Sequence, residues 1–294
     1  MENKVTAPGD PLDASGYKAA PELLFEPGKG NPAKKAILVV SFGTSYHDTR
    51  EAAIGAVEKR IAEAFPDYEV RRAFTSQMII DKLAARDNLM IDNVRQAVER
   101  LIEDGFGTVV CQPTHVMNGY EYEKMVEMIS PYRNRFGRLK LGNPLLTSIE
   151  DYEEVIKVLK EELPPLTKKE AAVLVGHGTE HFANAVYCEL DYRMKDEGYG
   201  NLFVGTVEGY PSVDSVLKRL RENEEIEKVY LVPLMIVAGD HALHDITGNG
   251  DDSWEKRLQD EGYEVQGVLK GLGEYRGVRD LFVKHVQAAI AGKE

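Results

Sequence analysis

Short apolar runs alternate with amphipathic segments along most of this chain, and each change of period marks a change of element. "AILVVSF" (36–42) is apolar at nearly every position, the pattern of a strand buried on both faces. The following "DTREAAIGAVEKRIAEAF" sets Ala53, Val57, Ile61 and Phe65 at helical spacing and stops before Pro66. "YEVRRAF" predicts a second strand, "NVRQAVERLIEDGF" a helix closed by Gly105, and "TVVCQPTHV" a third strand. After the helix "YEYEKMVEMISPYRNRF" comes "LKLGNPLL". Four βα units in a row predict a parallel α/β sheet.

The order then repeats. "AAVLVGHGT" aligns with "AILVVSFGT", setting His177 over Phe42, and "LFVGTVEGY" with "YEVRRAFTS", setting Glu208 over Phe74. "YLVPLMIVAGDH" aligns with "VCQPTHVMNGYE", setting Pro233 over Pro113, Gly239 over Gly119 and His241 over Glu121. "QGVLKGLGE" then corresponds to "LGNPLLTSI". The expected architecture is two similar α/β lobes, 34–150 and 151–274, whose parallel sheets face a central cleft. Residues 275–294 are expected to form a helix that packs on the first lobe. The Pro- and Gly-rich stretch 1–33 is expected to be a loosely ordered extension.

In open α/β sheets the ligand crevice lies at the carboxyl ends of the strands. His177, Glu208 and His241 fall at or just past those ends in the second lobe, where neighbouring strands stand roughly 5 Å apart. Two imidazoles and a carboxylate converging there suit Co(II), Fe(II), Ni(II) or Zn(II), with coordination positions left open. The first lobe offers Phe42 and Phe74 in the matching places, a mostly aromatic floor. Arg72, Thr75 and Ser76 border the second strand's end, where guanidinium and hydroxyl donors could meet carboxylates. His115 lies near the end of the third strand, where it either ligates a haem or hydrogen-bonds in the cleft; the sequence leaves both readings open. His181 and His244 read as polar surface or supporting partners, and His47 and His285 as residues without a specific role. No phosphate-loop lysine, G-x-G-x-x-G spacing or nucleophile elbow is present, so neither a nucleotide nor another organic cofactor is expected.

Composition narrows the partners. A formal net charge of -13 over 294 residues argues against nucleic acid, whose phosphates need a basic surface. No apolar run reaches the ~18 residues of a membrane span, and the N-terminus lacks the basic start and apolar core of a signal peptide. The expectation is a cytoplasmic chain with no membrane partner; a homo-oligomer is compatible with the sequence. Cys111 and Cys188, the only cysteines, are expected to be buried reduced thiols.

Several stretches together resemble the CbiK-type cobaltochelatases of anaerobic cobalamin synthesis, which act on sirohydrochlorin. They are "LVVSFGTSYHDT", "RAFTSQMII", "NGYEYEKMV", "LKLGNPLL", "GHGTEH", "VEGYPSVD", "PLMIVAGDHA" and "GDDSWEKRL", running from about residue 36 to 283. The resemblance implies two flavodoxin-like lobes of ferrochelatase type and no nucleotide requirement. It also implies a divalent metal and a tetrapyrrole as substrates. The family's metal-site histidines fall on His177 and His241, its glutamate on Glu208, and a second acidic cleft residue on Glu121. On that reading His177 and Glu121 serve catalysis, and His177, Glu208 and His241 hold the metal. Phe42 and Phe74 would stack on the macrocycle, with Arg72, Thr75, Ser76 and His115 as further substrate contacts. Iron or nickel insertion, or a two-lobed metal or haem carrier, are the alternatives.

Overall fold

The computed structural model describes residues 23–24, 30–240, 242–248 and 250–292. Among the described residues nine strands build two sheets. The first holds β1 (Leu23–Leu24), β2 (Asn31–Ser41), β3 (Glu69–Phe74), β4 (Phe106–Pro113) and β5 (Arg138–Leu141), in the order β1-β5-β4-β2-β3. The second holds β6 (Glu170–Gly176), β7 (Leu202–Thr206), β8 (Lys228–Pro233) and β9 (Glu264–Gly267), in the order β7-β6-β8-β9. All neighbours are parallel except β1, which runs antiparallel against β5. Without β1 the two sheets have the same winding, first strand central and second strand at the edge. This is the doubly wound pattern that places a crevice beyond the strand ends. Inside the stretch expected to be a loose extension, Leu23–Leu24 pair with β5 and β2 begins at Asn31.

Period-two alternation decides which face of each central strand meets which core. Ile37 and Val39 of β2 share one large cluster with Ala172 and Leu174 of β6, while Ala36, Leu38 and Val40 turn to the other side of the first sheet. Between the sheets lie the helices Ile149–Glu162, Ala185–Asp196 and Arg276–Ala291, contributing Val155, Leu190 and Phe282 to that shared core. The C-terminal helix Arg276–Ala291 packs on the helix Ala56–Ala64 and against β4 and β5 of the first sheet. Cys111 is buried, which pushes its thiol up to about 12; Cys188, expected to be buried, is only partly so. Among the described residues no helix is long and apolar enough to cross a membrane.

Candidate functional site

The two lobes meet at the carboxyl ends of their strands. Thr75 N–H donates to the Ser41 carbonyl at the end of β2, and Val207 N–H to the Gly176 carbonyl at the end of β6, each at 2.9 Å. One step on, Ser76 N–H bonds the Phe42 carbonyl at 3.2 Å and Glu208 N–H the His177 carbonyl at 2.7 Å. Backbone pairing thus sets His177 beside Glu208 as it sets Phe42 beside Ser76. Gly178 makes the close approach possible. Its φ is +84°, and an added Cβ would stand 1.9 Å from the Glu208 carbonyl oxygen.

His177 and Glu208 are therefore brought together. His177 Nδ1 lies 3.0 Å from the Gly178 carbonyl, which can only accept, so this nitrogen carries the proton and Nε2 holds the lone pair. The Glu208 Oε2 stands 4.0 Å from the same Nδ1. A backbone carbonyl that fixes the tautomer is the usual support of a metal-binding imidazole. His241, expected as the third ligand, lies outside the described residues. Among the described residues no group of three or more His, Cys, Asp or Glu is placed to hold a metal ion.

In the first lobe the structure separates the expected residues. Phe42 is 47% exposed at the end of β2, free to meet a ligand. Phe74, expected beside it as a stacking surface, is fully buried with Ile54, Ile80 and Leu83. The backbone of Gly43 covers its ring so closely that a Cβ there would meet Phe74 Cδ2 at 2.5 Å. Its ring cannot stack on a substrate. Arg72, expected to bind carboxylates, gives both arms of its fork to Glu58 at 2.7 Å each, and Glu51 stands 3.7 Å away. A bidentate carboxylate within the lobe already occupies it. Thr75 and Ser76 are buried, and the Thr75 hydroxyl has no hydrogen-bond partner among the described residues.

His115 and Glu121 form a shielded polar corner beyond β4. Both His115 ring nitrogens and the Glu121 Oε2 are buried without a hydrogen-bond partner among the described residues, although the histidine as a whole is partly exposed. Burial drives the His115 pKa down to about 4, and the nearby Glu121 charge only partly opposes it. His115 is thus neutral near pH 7. The unfolded chain takes up its proton near the ordinary value of 6.5, the folded chain only near 4. Stability should therefore fall between those limits as pH drops, by up to about 1.4 kcal/mol per pH unit from this group. Urea unfolding at several pH values should show a shallower loss for His115→Gln than for wild type. Equal slopes would remove His115 from that account.

Sequence reasoning missed the contacts that join the lobes. Tyr46 O–H donates to Asp240 Oδ1 at 2.8 Å, which raises its pKa. His181, expected to be polar surface or a supporting partner, is buried at 6% exposure, with its Nε2 3.3 Å from Glu123 of the facing lobe. The sequence carries no spacing signal for either pair, because the partners lie far apart in the chain.

A sequence model of the family described as "Cobalt chelatase (CbiK)" matches residues 35–291. The sirohydrochlorin cobaltochelatase of Salmonella typhimurium is 45% identical over 257 residues, which is 87% of this chain and 97% of that protein. Sirohydrochlorin cobaltochelatase CbiKC of Nitratidesulfovibrio vulgaris is 32% identical over 261 residues, 88% of this chain and 91% of its own. Among solved structures, SirB from Bacillus subtilis with Fe3+ superposes with a TM-score of 0.61 at 15% identity, covering 88% of this chain and 96% of that one. At that identity the likeness is one of fold alone.

Proposed function

We propose that this chain, which belongs to the CbiK family of cobalt chelatases, inserts Co(II) into sirohydrochlorin without a nucleotide or organic cofactor. The observation that carries the reading is the pairing of His177 with Glu208 at adjacent strand ends. Together with His241 they supply two imidazoles and a carboxylate, a set that holds a divalent ion and leaves positions for incoming ring nitrogens.

Insertion exchanges two pyrrole protons for one metal ion, so the protein must hold the metal, release it and receive two protons. A nitrogen bound to Co(II) cannot take a proton at the same moment. His177 Nε2 therefore holds the metal first and accepts a pyrrole proton once the ion has passed to the ring. Glu121, partly exposed and with no hydrogen-bond partner for its Oε2 among the described residues, is the acceptor for the second proton. Phe42, exposed at the end of β2, covers part of the macrocycle, while the buried imidazole of His115 stays neutral beside Glu121. The setting we propose is the cytoplasm.

Anaerobic incubation with sirohydrochlorin and excess Co(II), followed by absorbance, tests this. Many equivalents of cobalt product per chain are expected. Product limited to one equivalent would make the protein a carrier, and faster turnover with Fe(II) or Ni(II) at equal free metal would reassign the ion.

A further inference from the structure

Exposed aromatic rings beside a polar site are costly to leave in water and are often the part a planar ligand covers. Two such rings, neither singled out by the sequence, lie against one buried imidazole. Tyr120 is 57% exposed and opens the helix Tyr120–Ile129 of the first lobe; Phe182 is 65% exposed in the loop after β6. The His181 ring touches both. Its centroid is 4.7 Å from that of Tyr120, edge to face, and 4.0 Å from that of Phe182.

His181 is clamped rather than loosely packed. Its Nδ1 accepts the Ala183 N–H at 3.1 Å, which leaves Nε2 to carry the proton and donate to Glu123 Oε1 at 3.3 Å. Glu123 sits on the same helix as Tyr120, so one hydrogen bond fixes the distance between the two exposed rings across the lobes. The loop is also tied to the metal side of the cleft. Asn184 accepts the Thr179 N–H at 3.0 Å and donates to the Tyr210 carbonyl at 2.6 Å, two residues beyond Glu208.

We propose that Tyr120 and Phe182, joined through His181, form a stacking surface for the conjugated face of the tetrapyrrole, one ring from each lobe. The inference rests on the functional reading above and adds the residues that position the macrocycle. It also supplies the aromatic contact that buried Phe74 cannot. Stacking acts on substrate binding and not on the metal, so the two should separate in measurement.

Sirohydrochlorin binding without metal, read by its absorbance, and steady-state insertion should be measured for wild type, Phe182→Leu, Tyr120→Leu and Tyr120→Phe. Each Leu variant should weaken tetrapyrrole binding and raise its KM about tenfold. Their kcat and Co(II) affinity should stay near wild type, and Tyr120→Phe should bind normally. Leu variants that bind sirohydrochlorin within twofold of a binding-competent wild type would overturn the stacking surface while leaving the chelatase reading intact. A wild type that binds no sirohydrochlorin would overturn the chelatase reading, and this inference with it. Thermal unfolding midpoints equal to wild type would assign any loss to the surface; a Co(II) affinity that falls in parallel would instead mark disruption of the whole loop and contradict the proposal.

Discussion

His177→Ala is expected to lower kcat/KM for cobalt insertion by ~10²- to 10⁴-fold, the range over which one positioned proton acceptor contributes. The residue follows β6 in a loop whose backbone is fixed by other groups: the Val207 and Glu208 N–H donors and the left-handed Gly178. Removing the imidazole therefore takes away chemistry and little packing. The thermal midpoint should stay within a few degrees of wild type. Glu208→Gln keeps the side chain's shape and removes its charge, and should lose less than His177→Ala. Initial rates over a range of Co(II) and sirohydrochlorin concentrations, from below to above saturation, are the measurement. Near wild-type insertion by folded His177→Ala would show that this histidine neither holds the metal nor accepts the proton.

The second large effect concerns stability. His285 on the C-terminal helix and Asp151 in the first turn of Ile149–Glu162 form a buried pair, Nε2 to Oδ1 at 2.7 Å. His285 Nδ1 lies 3.1 Å from the Asn143 carbonyl and must donate to it. The Asp151 Oδ2 accepts the N–H groups of Thr147 at 3.1 Å and Ser148 at 2.8 Å. Burial alone would raise the Asp151 pKa, but the hydrogen bond and charge of His285 and the two backbone donors outweigh it and hold the carboxyl below its ordinary 3.8. A depressed carboxylate stabilises the fold at every pH above its unfolded value, and the contribution is lost as pH falls below about 4 through the folded value. Asp151→Asn leaves the imidazole without its carboxylate and should cost roughly 3–5 kcal/mol at pH 7. Urea unfolding from pH 7 down to about 3 checks both statements. A loss under 1 kcal/mol with an unchanged acid limb would mean the pair does not anchor the helix.

The doubled fold was legible because its central strands are buried on both faces. β2 and β6 read as unbroken apolar runs, and Pro113 and Pro233 end the third strand of each lobe at matching register, against Val40 and Val175. Edge strands carry less information. β3 stands at the edge of the sheet beside β2 and keeps Arg71 and Arg72 within it, so no hydrophobic alternation marks where it ends. The sequence alignment consequently slipped by two residues there. Pairing of Ser41 with Phe74 and of Gly176 with Thr206 makes Phe74 the counterpart of Thr206 and Ser76 that of Glu208. Phe74 lost its expected role through that slip. The helix Gln77–Asp87 was missed because it buries only Ile80 and Leu83, too few apolar positions to show a period. His285 was read as idle because its partners Asp151 and Asn143 come from distant segments, which only the folded chain brings together.

That His177 and Glu208 serve one metal ion is best tested by calorimetric Co(II) titration of wild type, His177→Ala, Glu208→Gln and the double variant. Ligands of a shared ion are coupled: once one is gone, the second loses much of its effect. Each single variant should weaken Co(II) binding by at least about tenfold, and the double variant should bind more tightly than the product of the two losses predicts. Single variants that bind Co(II) like wild type, or losses that simply multiply, would contradict a shared metal at the ends of β6 and β7.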